Sequence, residues 1–226
     1  GLIGTDISIE KLSDKEWLVQ GVKFTSEGTS ELPEQFLYMV KNSDYLLQDS
    51  NIYYQDHTGE KLNLSLLDVN IVVKNNFNNH DIKFTMNLPE EYGRDLSVVA
   101  RLHGDIDSLD GDIYVEAHQL DVKRWNRKFK FLRDYQFNAV LDINIWARLD
   151  DSNIQELSTQ FTSKNIFIKN NVTEKFWKTN YLSSNIRYIV DDDFRNLSIS
   201  NLVFGEQFKP VWQRAANFVA SEDEKS

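Results

Sequence analysis

Apolar residues recur at every second position over long stretches of this chain, and that period dictates the fold class. Successive side chains of an extended strand point to opposite faces, so alternation makes one face apolar and leaves the other wet. Leu62 and Leu64 alternate with Lys61, Asn63 and Ser65. Val69, Ile71 and Val73 resume the pattern after a one-residue shift near Leu66–Leu67, which reads as a β-bulge. Ile82, Phe84, Met86 and Leu88 form the next row, followed by Leu96, Val98, Ala100 and Leu102, then Ile113, Val115 and Ala117. The longest row is Leu141, Ile143, Ile145, Ala147 and Leu149. Ile186, Tyr188 and Val190, then Leu197 and Ile199, then Leu202 and Phe204 complete the series. Weaker strands are expected from Glu16 to Phe24, Leu46 to Gln55 and Ile154 to Thr162. Turn-forming stretches separate the runs at 57–60, 75–79, 90–94 and 191–193. The spacing predicts roughly ten to twelve strands in an antiparallel arrangement. Leu62–Ile71 and Leu197–Phe204 share an alternating strand, a small step and renewed alternation, a loose echo of a repeated β unit.

Three short helices are expected within this all-β frame. Pro33 opens one at about 33–41, with Phe36, Leu37 and Val40 on one face. A second links the strands at about 120–129. The third begins at Pro210, where Phe208, Val211, Trp212, Ala215, Ala216 and Val219 fit a helical stripe. The organisation read from these patterns is a β segment over 1–205, then a C-terminal amphipathic helix and charged tail over 206–226.

Composition narrows the function classes. The 226 residues are 41% hydrophobic, enough for a sizeable core. A net charge of −10 disfavours nucleic acid and broad adhesion to an anionic bilayer. No cysteine is present, so thiol catalysis, disulfides and thiolate metal sites are excluded together. No apolar run approaches the roughly 18 residues of a membrane span, and the chain opens Gly-Leu-Ile-Gly without a signal peptide. It is therefore expected to be a piece of a longer protein, with any anchor outside it.

Sheet geometry then poses a covering problem. Ten strands about 4.8 Å apart make a sheet roughly 48 Å wide, and a helix covers only about 10 Å of that. Two substantial helices cannot cover the apolar face. The sheet closes into a barrel, folds into a sandwich, or curls into a gutter whose floor holds something apolar.

Residues 46–125 resemble the AsmA-like family, most closely its YhdP-type members. Leu47-Gln-Asp-Ser-Asn-Ile-Tyr-Tyr-Gln-Asp56 is similar to the family's strand ending in an aromatic and an acidic turn. Leu62 to Ile71 resembles the strand that follows it, and His80 to Pro89 the next, closing on Leu-Pro. Leu102-His-Gly-Asp105 and Leu109-Asp-Gly-Asp-Ile-Tyr-Val115 resemble a Gly-Asp turn with its return strand. Leu120-Asp-Val and Trp125 resemble the link that leaves that hairpin, and the likeness extends over most of 7–205. The high Asn and Lys content departs from the family pattern.

The resemblance implies a long, twisted, curled antiparallel sheet forming an apolar gutter. It implies a protein anchored in the inner membrane of a Gram-negative envelope through a segment absent from this chain. Such a protein crosses the periplasm and conducts phospholipid between inner and outer membranes. The implied partners are phospholipid acyl chains, the rest of the parent chain and the two membranes. No catalytic residue, cofactor or metal comes with the family, and no enzyme activity is expected. The acyl-chain floor is assigned to Ile52, Tyr54, Leu62, Leu64, Val69, Ile71, Ile82, Phe84, Met86, Leu96, Val98, Ile113 and Val115. The bland reading of each is ordinary core. Two other functions compete: a closed barrel or sandwich binding a small apolar ligand or protein partner, and a structural spacer.

Other features were weighed. Lys123, Arg124, Arg127 and Lys128, interleaved with Trp125 and Phe129, are a candidate contact for anionic head groups or an acidic partner, against the null of a solvated linker. Asp105, Asp107, Asp110 and Asp112 around Gly111 have the wrong register for a calcium loop and read as a hairpin turn. The four histidines, His57, His80, His103 and His118, lack zinc-ligand spacing.

Overall fold

A computed structural model describes residues 1–25, 43–58, 62–105, 108–126, 134–191, 194–206, 209–214 and 220–223. Nearly all of them are strand. In chain order the elements are β1 (Leu2–Ile3), β2 (Asp6–Ser13), β3 (Glu16–Val19), β4 (Val22–Thr25) and β5 (Tyr45–Asp56). Then come β6 (Leu62–Asn76), β7 (Asn79–Asn87), β8 (Asp95–Asp105), β9 (Ser108–Asp121), α1 (Val122–Asn126), β10 (Tyr135–Asp150) and β11 (Asn153–Asn170). The series ends with β12 (Phe176–Asp191), β13 (Phe194–Glu206), β14 (Lys209–Arg214) and β15 (Ala220–Asp223). The all-β expectation holds. The described strands number fifteen rather than ten to twelve: β1 and β2 lie outside the expected runs, the 16–24 run divides into β3 and β4, and β14 and β15 stand where a helix and tail are expected.

The chain divides into two compact units. The first comprises Gly1–Pro89 with Asp95–Ile106, the second Glu90–Arg94 with Asp107–Ser226. In the first unit the strand order is β8-β7-β6-β5-β2-β3-β4, with β1 also on β5. In the second it is β14-β13-β12-β11-β10-β9, with β15 also on β13. Among the described residues neither order closes on itself into a barrel. Pairing is antiparallel except that β1 and β2 run parallel to β5. A parallel pair needs a long return, and the chain from 14 to 44, which includes β3 and β4, separates β2 from β5 in sequence.

Tight turns connect the long strands. Gln20-Gly21, with φ of 52° and 78°, breaks the expected 16–24 strand into the β3–β4 hairpin. Asp151-Ser152, at 48° and 60°, joins β10 to β11. Positive φ at both central residues matches the right-handed strand twist, the condition a two-residue hairpin must meet.

Expectations for the helices fare differently. The one at about 33–41 lies outside the described residues. The link helix is present over Val122–Asn126 and starts later than 120 because β9 continues to Asp121; residues 127–129 lie outside the described residues. The Asp121 Oδ1 caps it, accepting the N–H groups of Lys123 at 2.9 Å and Arg124 at 3.4 Å. The C-terminal amphipathic helix of 206–226 is corrected: Lys209–Arg214 and Ala220–Asp223 are strands, both paired with β13. A helix of about ten residues is marginal in water, whereas the edge of β13 offers a ready ladder. Pro210 is tolerated in such an edge strand because it need not donate.

Candidate functional site

Directly paired residues share a face of the sheet, so the registers show which side chains form continuous rows. In the first unit Leu47, Ile71, Phe84 and Val98 lie side by side across β5 to β8. Tyr45, Val73, Ile82 and Ala100 form the neighbouring row, and Met86 faces Leu96. Towards the other end, Leu66, Ile52 and Ile7 align, as do Leu64, Tyr54, Ile9 and Val19. The alternating apolar residues thus meet across strands far apart in sequence.

Bulges hold this alignment together. A two-residue rhythm fails if a strand needs an odd step, since a one-residue slip sends every later side chain to the wrong face. Asp49 on β5 and Asp68 on β6 absorb the step with φ of 49° and 51°. Registers shift around both, yet Ser50 still meets Val69 and Ile52 still meets Leu66. Asp and Asn tolerate this left-handed backbone better than most residues. Hydrogen bonds link the bulges laterally: the Asp49 backbone N–H donates to Asn70 Oδ1 at 3.0 Å, and the Asn87 Nδ2 donates to Asp68 Oδ2 at 2.7 Å.

Burial separates core from open floor. Val69 and Ser50 are wholly buried at the centre, and Leu47, Val73, Met86 and Ala100 are buried around them. Ile52, Tyr54, Leu64, Ile71, Ile82, Phe84, Leu96 and Val98 are only half-buried. The opposite face carries the exposed Tyr53, Gln55, Asn63, Ser65, Asp81 and Lys83. Close contacts between described elements run between ladder neighbours, apart from α1 against β9 and β10. Every described strand of this unit lies in the one sheet.

The apolar rows end at a polar group. Lys11 pairs with Asp56 on β5 and Trp17 on β3. The Lys11 ammonium stands 5.6 Å from the Trp17 ring centre and 3.0 Å from Asp14. That hydrogen bond to Asp14 outweighs burial and raises the lysine above its usual range. Burial pushes the Asp56 carboxyl up, but Thr58, Lys11 and Tyr54 oppose it and leave it below the ordinary carboxylate range. The Trp17 Nε1 is buried without a hydrogen-bond partner.

Eleven of the thirteen assigned floor residues fall in the first unit, and its registers bring ten of them onto one face. The side chain of the eleventh, Leu62, lies outside the described residues, although its backbone pairs with Asp56. Ile113 and Val115 belong to the second unit, where they open a further set of rows. Val115, Ile145, Thr159, Ile186 and Ile199 align across β9 to β13. Ile113, Ala147, Leu157, Tyr188 and Leu197 run beside them. The assignment therefore stopped short: Leu47, Leu66 and Val73, and the apolar residues of β10 to β13, share these faces. Their alternation was visible in sequence, but their pairing was not.

Lys123 and Arg124 are exposed at the start of α1, while Arg127 and Lys128 lie outside the described residues. Asp110 and Asp112 tie β9 to β10 and to the β10–β11 turn: Asp110 Oδ1 accepts the Asp151 N–H at 2.8 Å, and Asp112 pairs with Arg148 at 3.3 Å. Among the described residues no group of three His, Asp or Glu is placed to hold a metal ion, and no helix is long and apolar enough to cross a membrane.

An open sheet unit with one continuous, half-buried apolar face and one polar face defines a β-groove class of protein. A family model described as YhdP protein matches residues 3–199, and the chain belongs to that family. No curated protein and no solved structure matches it.

Proposed function

We propose that this chain is a periplasmic segment of an envelope-spanning protein and that its apolar faces carry the acyl chains of phospholipids between inner and outer membranes. The observation that carries the proposal is the register-aligned apolar face, half-buried in a unit whose described strands all lie in one sheet. Family membership supports it. A face of this kind exposed to water is costly, and each acyl methylene laid on it recovers about 0.8 kcal/mol. A floor of similar aliphatic rows gives shallow, repeated sites, so a chain can advance without leaving one deep pocket. Head groups remain on the wet side, and Lys123 and Arg124 are exposed cations for contact with anionic ones. The parent protein would be held in the inner membrane by a segment outside this chain. Passage along such a face breaks no covalent bond and needs no cofactor.

Native mass spectrometry with lipid extraction on protein purified from a Gram-negative periplasm tests the reading. Co-purified phospholipid is the expected result. A lipid-free protein of full stability would overturn it and favour an inert spacer.

A further inference from the structure

The second unit carries an unassigned feature on the face opposite its apolar rows. There a hollow of about 720 Å³ opens across β9 to β13, within the size range of small-ligand sites. Two transverse polar ladders build it. Asn144, Gln160, Asn185 and Ser200 align in one, and Asp142, Thr162, Ser183 and Val203 in the next. A smaller hollow of about 280 Å³ shares Gln160 and Asn185 and is bordered by Trp146 and Arg187.

The side chains here point to the ligand chemistry. Among the described residues, those of Gln160, Thr162, Tyr181, Ser183 and Asn185 make no hydrogen bond to another protein group. Five convergent amide and hydroxyl groups thus have both donors and acceptors unused. Among the described residues no lysine or arginine lines the larger hollow. The nearby Arg187 is engaged by Glu156 at 2.8 Å, which leaves the exposed Lys164, paired with Tyr181, as the cation at the margin of the hollow. Asp142, its one carboxylate, accepts the N–H of the bulged Gln119 at 2.8 Å. An acyl chain would leave the polar groups unpaired at a cost.

At one side Trp146 is 44% exposed, and its ring lies 5.3 Å from that of Tyr114. The Tyr114 hydroxyl donates to Asn144 Oδ1 at 3.0 Å, tying the aromatic pair to the first ladder. An exposed indole suits the C–H face of a pyranose ring. The ladders repeat at the strand spacing of about 4.8 Å, comparable with the advance of one ring along a linear sugar chain. An extended peptide would be captured by a sheet edge rather than by a face.

We propose that this hollow binds a neutral, polyhydroxylated chain of the class of a linear oligosaccharide, lying across β10 to β13 with one ring against Trp146. Ile143, Phe161 and Leu202 also line the hollow, and the proposal does not rest on lipid carriage.

The test titrates the chain with cellotetraose and with tetra-N-acetylchitotetraose, read by tryptophan fluorescence and calorimetry. Saturable binding of one of them is expected, unaffected by inorganic phosphate. Gln160→Ala with Asn185→Ala should weaken it roughly tenfold, each lost hydrogen bond contributing a few-fold. Neither side chain supports the fold, so circular dichroism should be unchanged. The proposal is overturned by absence of saturable binding to the folded chain, by undiminished binding in the double variant, or by displacement with phosphate.

Discussion

Replacing Ile71 and Phe84 together by aspartate perturbs the apolar face where it is open rather than where it is core. The two face each other across β6 and β7, and both are half-buried. Full burial of such side chains is worth about 1.5–3 kcal/mol each, so at half burial their joint loss costs about 2–3 kcal/mol. Facing carboxylates add up to about 1 kcal/mol of repulsion. The total of about 3–4 kcal/mol is below the 5–15 kcal/mol typical of folded domains, so the sheet should persist. An acyl chain crossing two aspartates forfeits burial of about three methylenes, roughly 2.4 kcal/mol, or about fiftyfold in affinity. A fluorescent phospholipid titrated into variant and parent measures that loss, and urea unfolding measures the fold. Ile71→Asn with Phe84→Asn removes the repulsion and should lose affinity while unfolding less readily. Equal lipid affinity in a folded aspartate variant would refute the reasoning.

Val69 is wholly buried, and Val69→Ala removes two methyl groups and leaves a void; the urea midpoint should fall by the equivalent of about 2 kcal/mol. Asn165 sits exposed in β11 with a φ of 53°, so Asn165→Val should destabilise by about 1–2 kcal/mol while Asn165→Gly changes little in the same assay. The Arg187 hydrogen bond holds the Glu156 carboxyl below the usual carboxylate range. A depressed folded value means the stabilisation is complete above the unfolded value of about 4.3 and is lost as pH falls through the folded one. Denaturation across that acidic window should show a pH-dependent component that Glu156→Gln abolishes.

Sequence period located the long strands because alternation is a local property. The step near Leu66–Leu67 announced the Asp68 bulge, since the apolar residues change parity there. Its partner at Asp49 was hidden, because Gln48 and Asp49 give no parity signal of their own. The short hairpin at Gln20-Gly21 was missed: the flanking Val19 and Val22 read as one run. At 210–214 the helical stripe is real in sequence, but the vacant edge of β13 is a tertiary feature and decides for strand. The alternating apolar residues were legible singly, yet their rows depend on registers between strands tens of residues apart. The same holds for the polar ladders, since nothing local distinguishes Gln160 or Asn185 from any wet-face residue.

Photocrosslinking in Gram-negative cells tests the central claim most directly. A photoreactive phenylalanine analogue is placed at Phe84 on the apolar face or at its chain neighbour Lys83 on the polar face. Crosslinks to phospholipid from position 84 and none from position 83 are the expected result. Lipid at neither position, or at both equally, would contradict the assignment of the apolar face as the acyl-chain path.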